Sequence, residues 1–239
     1  MNVLINGTSI SRGENSWPYY LKNCVKHKFD MINLAQAGAG NTYIHESIVE
    51  EIAQRSYDLV LIQWTYVDRL DIRVKDIGKF TDTEYTSLYQ SSQNDWPSKV
   101  IHPVNDQDYV QKDWVFGCGY INQRLDDSVG RVFKEYYAVT GFNEHMAASL
   151  IKIISLQNTL KTLGIPYLFI EYRPMTKFDR FQQLYQLIDW AQFSNVAPLF
   201  EMAREREALD DTLHPFIECH VDYAASLYKE LVDRKLIND

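Results

Sequence analysis

Clustered positive charge is the first thing this 239-residue sequence lacks. Its 24 lysines and arginines stand against 32 aspartates and glutamates, for a formal net charge of -8. That balance argues against a nucleic-acid backbone or an anionic membrane as the main partner, since both require grouped Lys and Arg. Cysteine is scarce as well. Cys24, Cys118 and Cys219 are odd in number and far apart, and no C-x-x-C occurs. Neither a zinc site nor a disulfide framework is indicated, and no metal or cofactor is expected. No apolar run is long enough to span a bilayer, and the first residues carry neither a basic n-region nor an apolar h-region. These absences lead to the expectation of a protein made in a reducing cytoplasm, which lysis or incorporation in a particle would release. Internal repeats and low-complexity segments are missing too.

What the chain does have is apolar residues, at 46%, and aromatics, at 13%. That suffices for a sizeable core in a single domain over residues 1–239. The apolar run Val3-Leu4-Ile5 reads as a buried first strand, and residues 31–34 as a second. Residues 59–63 form the clearest strand, its continuous apolar character suiting a central parallel position covered on both faces. Residues 165–171 supply another. Helices are expected near Trp17, over residues 43–55 with Ile44, Ile48 and Ile52 on one face, and over residues 143–163. The last of these takes Ile151, Ile154, Leu160 and Leu163 as its apolar side and ends at Gly164. Asn41 or Thr42 is the expected cap of the second helix. Further helices are expected around Leu184 to Trp190, over 198–207, and over 218–236. Strand and helix alternate, which is the α/β signature. Residues 70–129 break the pattern with mixed polar and aromatic residues. They read as an ordered insertion that leaves the third strand and packs near the sheet's carboxyl edge.

Chemistry concentrates at two places. Asn6-Gly7-Thr8-Ser9 follows the first strand, so a hydroxyl sits at the rim of the sheet, where open α/β sheets bind ligands. Near the other end, Asp211-x-x-His214-Pro215 puts a carboxylate within one turn of an imidazole that it can orient. Each string also has an ordinary reading, as turn or helix caps. His27, His45, His102 and His145 lack partners at metal-ligand spacing and read as surface or ordinary polar residues. His220 reads as a structural hydrogen-bonder.

Ser9 in a Gly-x-Ser turn, Gly38 after the second strand, and Asp211-x-x-His214-Pro215 fall in an order that resembles the SGNH (GDSL-type) hydrolases. His220 and Tyr223-Ala224 extend the likeness, with Cys219 where that family has glycine. The resemblance implies a three-layer α/β/α sandwich with a flavodoxin-like parallel sheet. It implies a serine esterase or deacetylase that removes an acyl group, acetyl among them, from a carbohydrate or small ester. Ser9 would be the nucleophile, His214 its base and Asp211 the orienting acid, with the N–H groups of Ser9 and Gly38 in the oxyanion hole. Two positions depart from the pattern. Thr8 replaces the aspartate before the serine, and Val67 stands where the oxyanion-hole asparagine belongs. Gln63, Thr65 and Arg69 are the substitute donors the sequence offers. The departures leave two alternatives open: a binding or structural protein on the same fold, such as a virion or glycan-binding component, and an acyltransferase.

Overall fold

The computed structural model describes residues 1–25, 29–36, 38–67, 69–73, 114–117, 135–175, 177–210 and 214–238. Most of the 70–129 stretch therefore lies outside the described residues, as do His27, His102 and Cys118.

Four parallel strands make the main sheet: β1 (Asn2–Asn6), β2 (Asp30–Asn33), β3 (Leu59–Trp64) and β6 (Tyr167–Glu171), in the order β2-β1-β3-β6. All six side chains of β3 are buried, which explains its continuous apolar sequence. Its partners β1 and β6 pair with it in parallel on either side, with Leu4 opposite Val60 and Phe169 opposite Ile62. Alternate residues feed two cores, as the two-residue period of a strand requires. Leu4, Val60, Ile62 and Phe169 face one core. Val3, Ile5, Leu59, Leu61 and Leu168 face the other. The first core is closed by α2 (Asn41–Ile52) and α3 (Phe142–Leu163). The second is closed by α1 (Trp17–Cys24), α5 (Leu199–Glu205) and α6 (Ile217–Asp233). This is the three-layer sandwich expected of the sequence. Among the described residues no helix is long and apolar enough to cross a membrane.

Three local expectations need correction. In α3 the buried side chains include Met146, Leu150, Ile153, Leu156 and Leu160, whereas Ile151 and Leu163 are each 55% exposed. The stripe is rotated by about one residue from the expected one. That phase also buries Ser149 and Gln157, and polar residues within a core stripe mislead a reading based on apolar spacing. His145 is buried, with its ring against Tyr136 and Tyr137, so it is not a surface residue. The segment around Leu184 splits into the short α4 (Gln182–Gln186) and a 3-10 turn at Trp190–Gln192.

The two described pieces of the long stretch after β3 are β4 (Leu70–Arg73) and β5 (Trp114–Gly117), which pair antiparallel. Trp114 packs edge-on against Tyr43, in the first turn of α2. The base of this stretch therefore sits at the carboxyl edge of the sheet.

Leu61 is fully buried at the centre of β3. Replacing it by alanine should cost about 2–5 kcal/mol, read from urea unfolding. A loss below about 1 kcal/mol would contradict its placement in the second core.

Candidate active site

The turn after β1 is assembled from buried polar groups. Asn6 donates from Nδ2 to Ser47 Oγ (2.7 Å) and to the Ile44 carbonyl (3.3 Å), while its Oδ1 accepts the Gly7 N–H (2.7 Å). One side chain thus ends β1, opens the turn and ties both to α2. Gly7 must be small. A Cβ there would lie 2.6 Å from Ser11 Oγ and 3.0 Å from Gln63 Cβ. Ser9–Ser11 forms one 3-10 turn, closed by the Ser11 N–H on the Thr8 carbonyl (2.9 Å). Ser11 holds it from below. Its hydroxyl donates to Gln63 Oε1 (2.7 Å) and accepts Trp17 Nε1–H (2.9 Å), and its carbonyl accepts from Asn33 Nδ2 (2.7 Å). Thr8 and Ser11 are fully buried and Ser9 is half-exposed, so the turn presents the Ser9 hydroxyl.

His214 arrives from the opposite end of the chain. The segment before α6 folds back on itself. Leu209 bridges Pro215, the Asp210 N–H meets the His214 carbonyl (2.9 Å), and the Phe216 N–H meets the Ala208 carbonyl (2.9 Å). Asp210 Oδ1 also accepts the His214 N–H (2.9 Å). The α6 helix packs on α1, with Tyr223 edge-on to Trp17 at 6.1 Å, and so fixes the loop relative to the serine turn. As a result His214 Nε2 lies 2.8 Å from Ser9 Oγ, across 205 positions of sequence. Asp211 lies outside the described residues. Sequence reasoning missed Asp210, because a carboxylate that holds backbone rather than imidazole leaves no distinctive spacing. His220 sits near His214. Burial, and secondarily the charge His214 carries when protonated, lower its pKa to about 4, so it is neutral near pH 7. Its buried Nδ1 has no hydrogen-bond partner among the described residues.

Gly38 is buried in the loop from β2 to α2 with φ 80°, a left-handed conformation that favours glycine. The loop is tied to the serine turn by the Gln36 N–H on the Gly7 carbonyl (3.2 Å). Neither Asn41 nor Thr42 caps α2. Gly40 holds the cap position, and the capping carboxylate comes from β4. Asp71 Oδ1 accepts the Gly40 N–H and Oδ2 the Tyr43 N–H, both at 2.7 Å. Asn41 instead grips the end of β3, accepting the Thr65 N–H (3.0 Å) and donating to the Thr65 carbonyl (3.2 Å). Sequence spacing cannot show such a cap, because donor and acceptor lie on different segments.

The substitute donors separate clearly. Gln63 is fully buried and supports the serine turn from beneath. Thr65 is buried, and its hydroxyl has no hydrogen-bond partner among the described residues. Arg69 is half-exposed, donates to the Ala39 carbonyl (3.1 Å) next to Gly38, and lies 5.8 Å from the centroid of the Tyr172 ring. Val67 packs partly against the first core and offers only an apolar side chain. Asp68 is outside the described residues.

A cavity of about 510 Å³ opens at the ends of β3 and β6, with Trp64, Val67 and Met146 on its walls beside Glu171 and Arg173. Ser9 and His214 are not on its wall. They lie toward β1, one strand away from β3, a spacing of about 4.8 Å. Tyr172 connects the two regions, since Arg69 lies over its ring and Tyr66, another of its ring neighbours, lines the cavity.

Burial raises the Asp71 pKa to about 7, against the opposing pull of the Tyr43 and Gly40 N–H groups and of Arg69. A carboxyl with a raised folded-state pKa contributes its stability in full below its unfolded value, near 4. It loses that contribution as pH rises through 7. Wild-type stability should therefore fall more steeply between pH 4 and pH 7 than that of Asp71→Asn, measured by thermal unfolding at stepped pH. Parallel curves would contradict the raised pKa.

No family profile matches the chain, and no curated protein matches it. Solved structures do. The psychrotrophic esterase EstA from Pseudoalteromonas sp. superposes with a TM-score of 0.52 at 11% identity, over 100% of this chain and 99% of its own. TesA gives 0.51 at 10% identity, over 99% and 100%. The acetylxylan esterase Axe2 from Geobacillus stearothermophilus, as a catalytic mutant, gives 0.50 at 12% identity, over 96% and 93%. At such identities the likeness is one of fold, and the chain has the three-layer α/β/α fold of these esterases, the fold implied by the resemblance of its motifs to the SGNH hydrolases.

Proposed function

We propose that this protein is a divergent SGNH-type serine hydrolase acting on ester bonds. The observation that carries the reading is the 2.8 Å contact between Ser9 Oγ and His214 Nε2, made at the sheet edge where open α/β folds place their ligands. In the neutral imidazole Nδ1 carries the proton and Nε2 accepts from the serine hydroxyl. Ser9 Oγ attacks the ester carbonyl as its proton passes to Nε2. Asp211, the residue that follows the backbone clamp at Asp210, is the acid assigned to orient the ring and balance the imidazolium. The tetrahedral oxyanion is met by the N–H groups of Ser9 and Gly38. Arg69 is assigned the donor position that Val67 leaves empty, because its guanidinium alone among the three substitutes combines charge, exposure and a place beside Gly38. Collapse of the intermediate expels the alcohol, which takes the proton from His214. Water then releases the acyl group by the same steps.

The finer reading is removal of a short acyl group such as acetyl from a carbohydrate or small ester. The carbohydrate ester is supported by the mixed aromatic and polar cavity about one strand from the pair and by the likeness of fold to an acetylxylan esterase. Transfer of the acyl group to another alcohol would use the same residues.

With p-nitrophenyl acetate, Ser9→Ala should fall to the background rate, and His214→Ala should lose roughly 10²- to 10⁴-fold in kcat. A fluorophosphonate probe should add covalently to Ser9 in the wild type, read by peptide mass, and not to Ser9→Ala. Wild type and Ser9→Ala with equal rates would overturn the enzyme reading and favour a binding or structural protein. Arg69→Met should lower kcat on the order of a hundredfold with little change in KM. An unchanged kcat would remove Arg69 from the oxyanion hole.

A further inference from the structure

We propose that the cavity at the ends of β3 and β6 continues, across an exposed pair of phenylalanine rings, into a second hollow, and that the two together bind a neutral carbohydrate chain. The inference deepens the hydrolase reading. It rests on that reading only for the direction of the chain, whose acylated sugar would lie at the Ser9 end.

The walls of the two hollows touch. Phe142, the first residue of α3, lines the 510 Å³ cavity and is 48% exposed. Its ring centroid lies 5.6 Å from that of Phe178, at an interplanar angle of 71°. Phe178 is 37% exposed and lines a second hollow of about 330 Å³. Met175 lies on the first wall and Lys177 on the second. Two large aromatic rings thus meet in solvent at the junction of two concave surfaces. Exposed apolar area so placed marks a binding surface more often than a bare one.

The chemistry of the lining selects the occupant. Arg173, Arg204 and Lys177 are matched by Glu171, Glu201 and Asp179, so no net field draws a polyanion. Gln182 and Gln186 are exposed on the second hollow, and each amide both donates and accepts. Arg173 is held against aromatic faces, 3.4 Å from the Phe200 centroid and 4.7 Å from that of Tyr66. At the far end the Lys177 ammonium lies 4.2 Å over the Trp190 ring. Donors and acceptors set among aromatic surfaces suit a chain of rings with C–H faces and hydroxyl edges. A lipid chain would leave those polar groups buried without partners.

The experiment uses full-length Ser9→Ala, so that binding is read in the absence of turnover. Xylohexaose, cellohexaose, chitohexaose and maltohexaose, with the matching disaccharides, are titrated by calorimetry. At least one hexamer should bind at least tenfold more tightly than its disaccharide. Adding Phe178→Ala should remove most of that difference, and Gln182→Ala with Gln186→Ala, both at exposed positions, should reduce it without a change in Tm. Ile151→Ala, on the exposed side of α3, should leave it intact. Binding by none of the four sugars, or binding that ignores the groove variants, overturns the proposal. So does tighter binding of a decapeptide of mixed Gly, Ser and Tyr, which would give the groove to a polypeptide. The two readings fail separately. Loss of sugar binding with intact p-nitrophenyl acetate turnover in the wild type refutes the groove alone, and length-dependent binding without turnover refutes the hydrolase alone.

Discussion

The hydroxyl of Ser11 carries the arrangement of the site. It donates to Gln63 in the middle strand, accepts from Trp17 in the first helix, and sits under a turn that only glycine at position 7 can make. These groups are fully buried, and a buried polar group without its partner costs about 1–3 kcal/mol. Three elements are therefore locked to one another where β1 ends, and the turn has little freedom to rotate Ser9 away. Trp17 passes the constraint on. Its indole N–H is held by Ser11 while its ring meets Tyr223 of α6, the helix that follows His214. The 2.8 Å approach of Ser9 and His214 is thus the end of a chain of packed, hydrogen-bonded groups rather than an isolated contact.

How much of this could be read from sequence depended on whether the signal was local. β3 was legible because a strand covered on both faces must be apolar throughout, and α6 because Tyr223, Leu227 and Leu231 repeat at four-residue steps and are all fully buried. Ser9 and His214 were legible as positions, since a turn after a strand and an Asp-x-x-His-Pro string each have a local pattern. Their meeting is encoded in neither string, and the expectation of it came from the resemblance to the SGNH hydrolases, which pairs Ser9 with His214. The phase of α3 was lost to Ser149 and Gln157, which are polar and yet buried. Gln157 keeps its place by bonding the Leu187 carbonyl (2.6 Å) and the Asp189 N–H (2.9 Å), partners some thirty residues away. The same cause hid Asp71: a helix normally finds its cap in the preceding residue, and α2 finds it in a strand reached only after β3.

That cap bears on the departure at Val67. Between Gly38 and Asn41 the backbone is held from three directions, by Asp71 at Gly40 and Tyr43, by Arg69 at Ala39, and by Asn41 at Thr65. Arg69 and Asp71 belong to the same strand region, and a Cβ on Gly40 would lie 2.9 Å from the Arg69 Cβ and from Asp71 Oδ2. The segment after Val67 therefore does structural work on the glycine loop that a lone asparagine would not do. With Val67 at this position, the β3–β4 segment grips the loop that carries Gly38 through Asp71 and Arg69, and Arg69 brings a guanidinium to the same place.

The separation between the reactive pair and the cavity also constrains what can react. Ser9 follows β1, while the cavity opens at β3 and β6, so the centre of the cavity is displaced from the serine by one to two strand spacings, about 5–10 Å. A carbonyl carbon placed on Ser9 Oγ leaves a ligand that reaches the cavity only if it extends across the end of β3, over Thr65 to Val67. An acetyl ester of a small alcohol is too short to do both and would gain little from the cavity walls. A larger ester can place its body among Trp64, Met146 and Arg173 and use that contact to hold its carbonyl at the serine. For the proposed hydrolase, binding energy taken so far from the reacting bond is the kind that orients a substrate, and it would favour large esters over small ones.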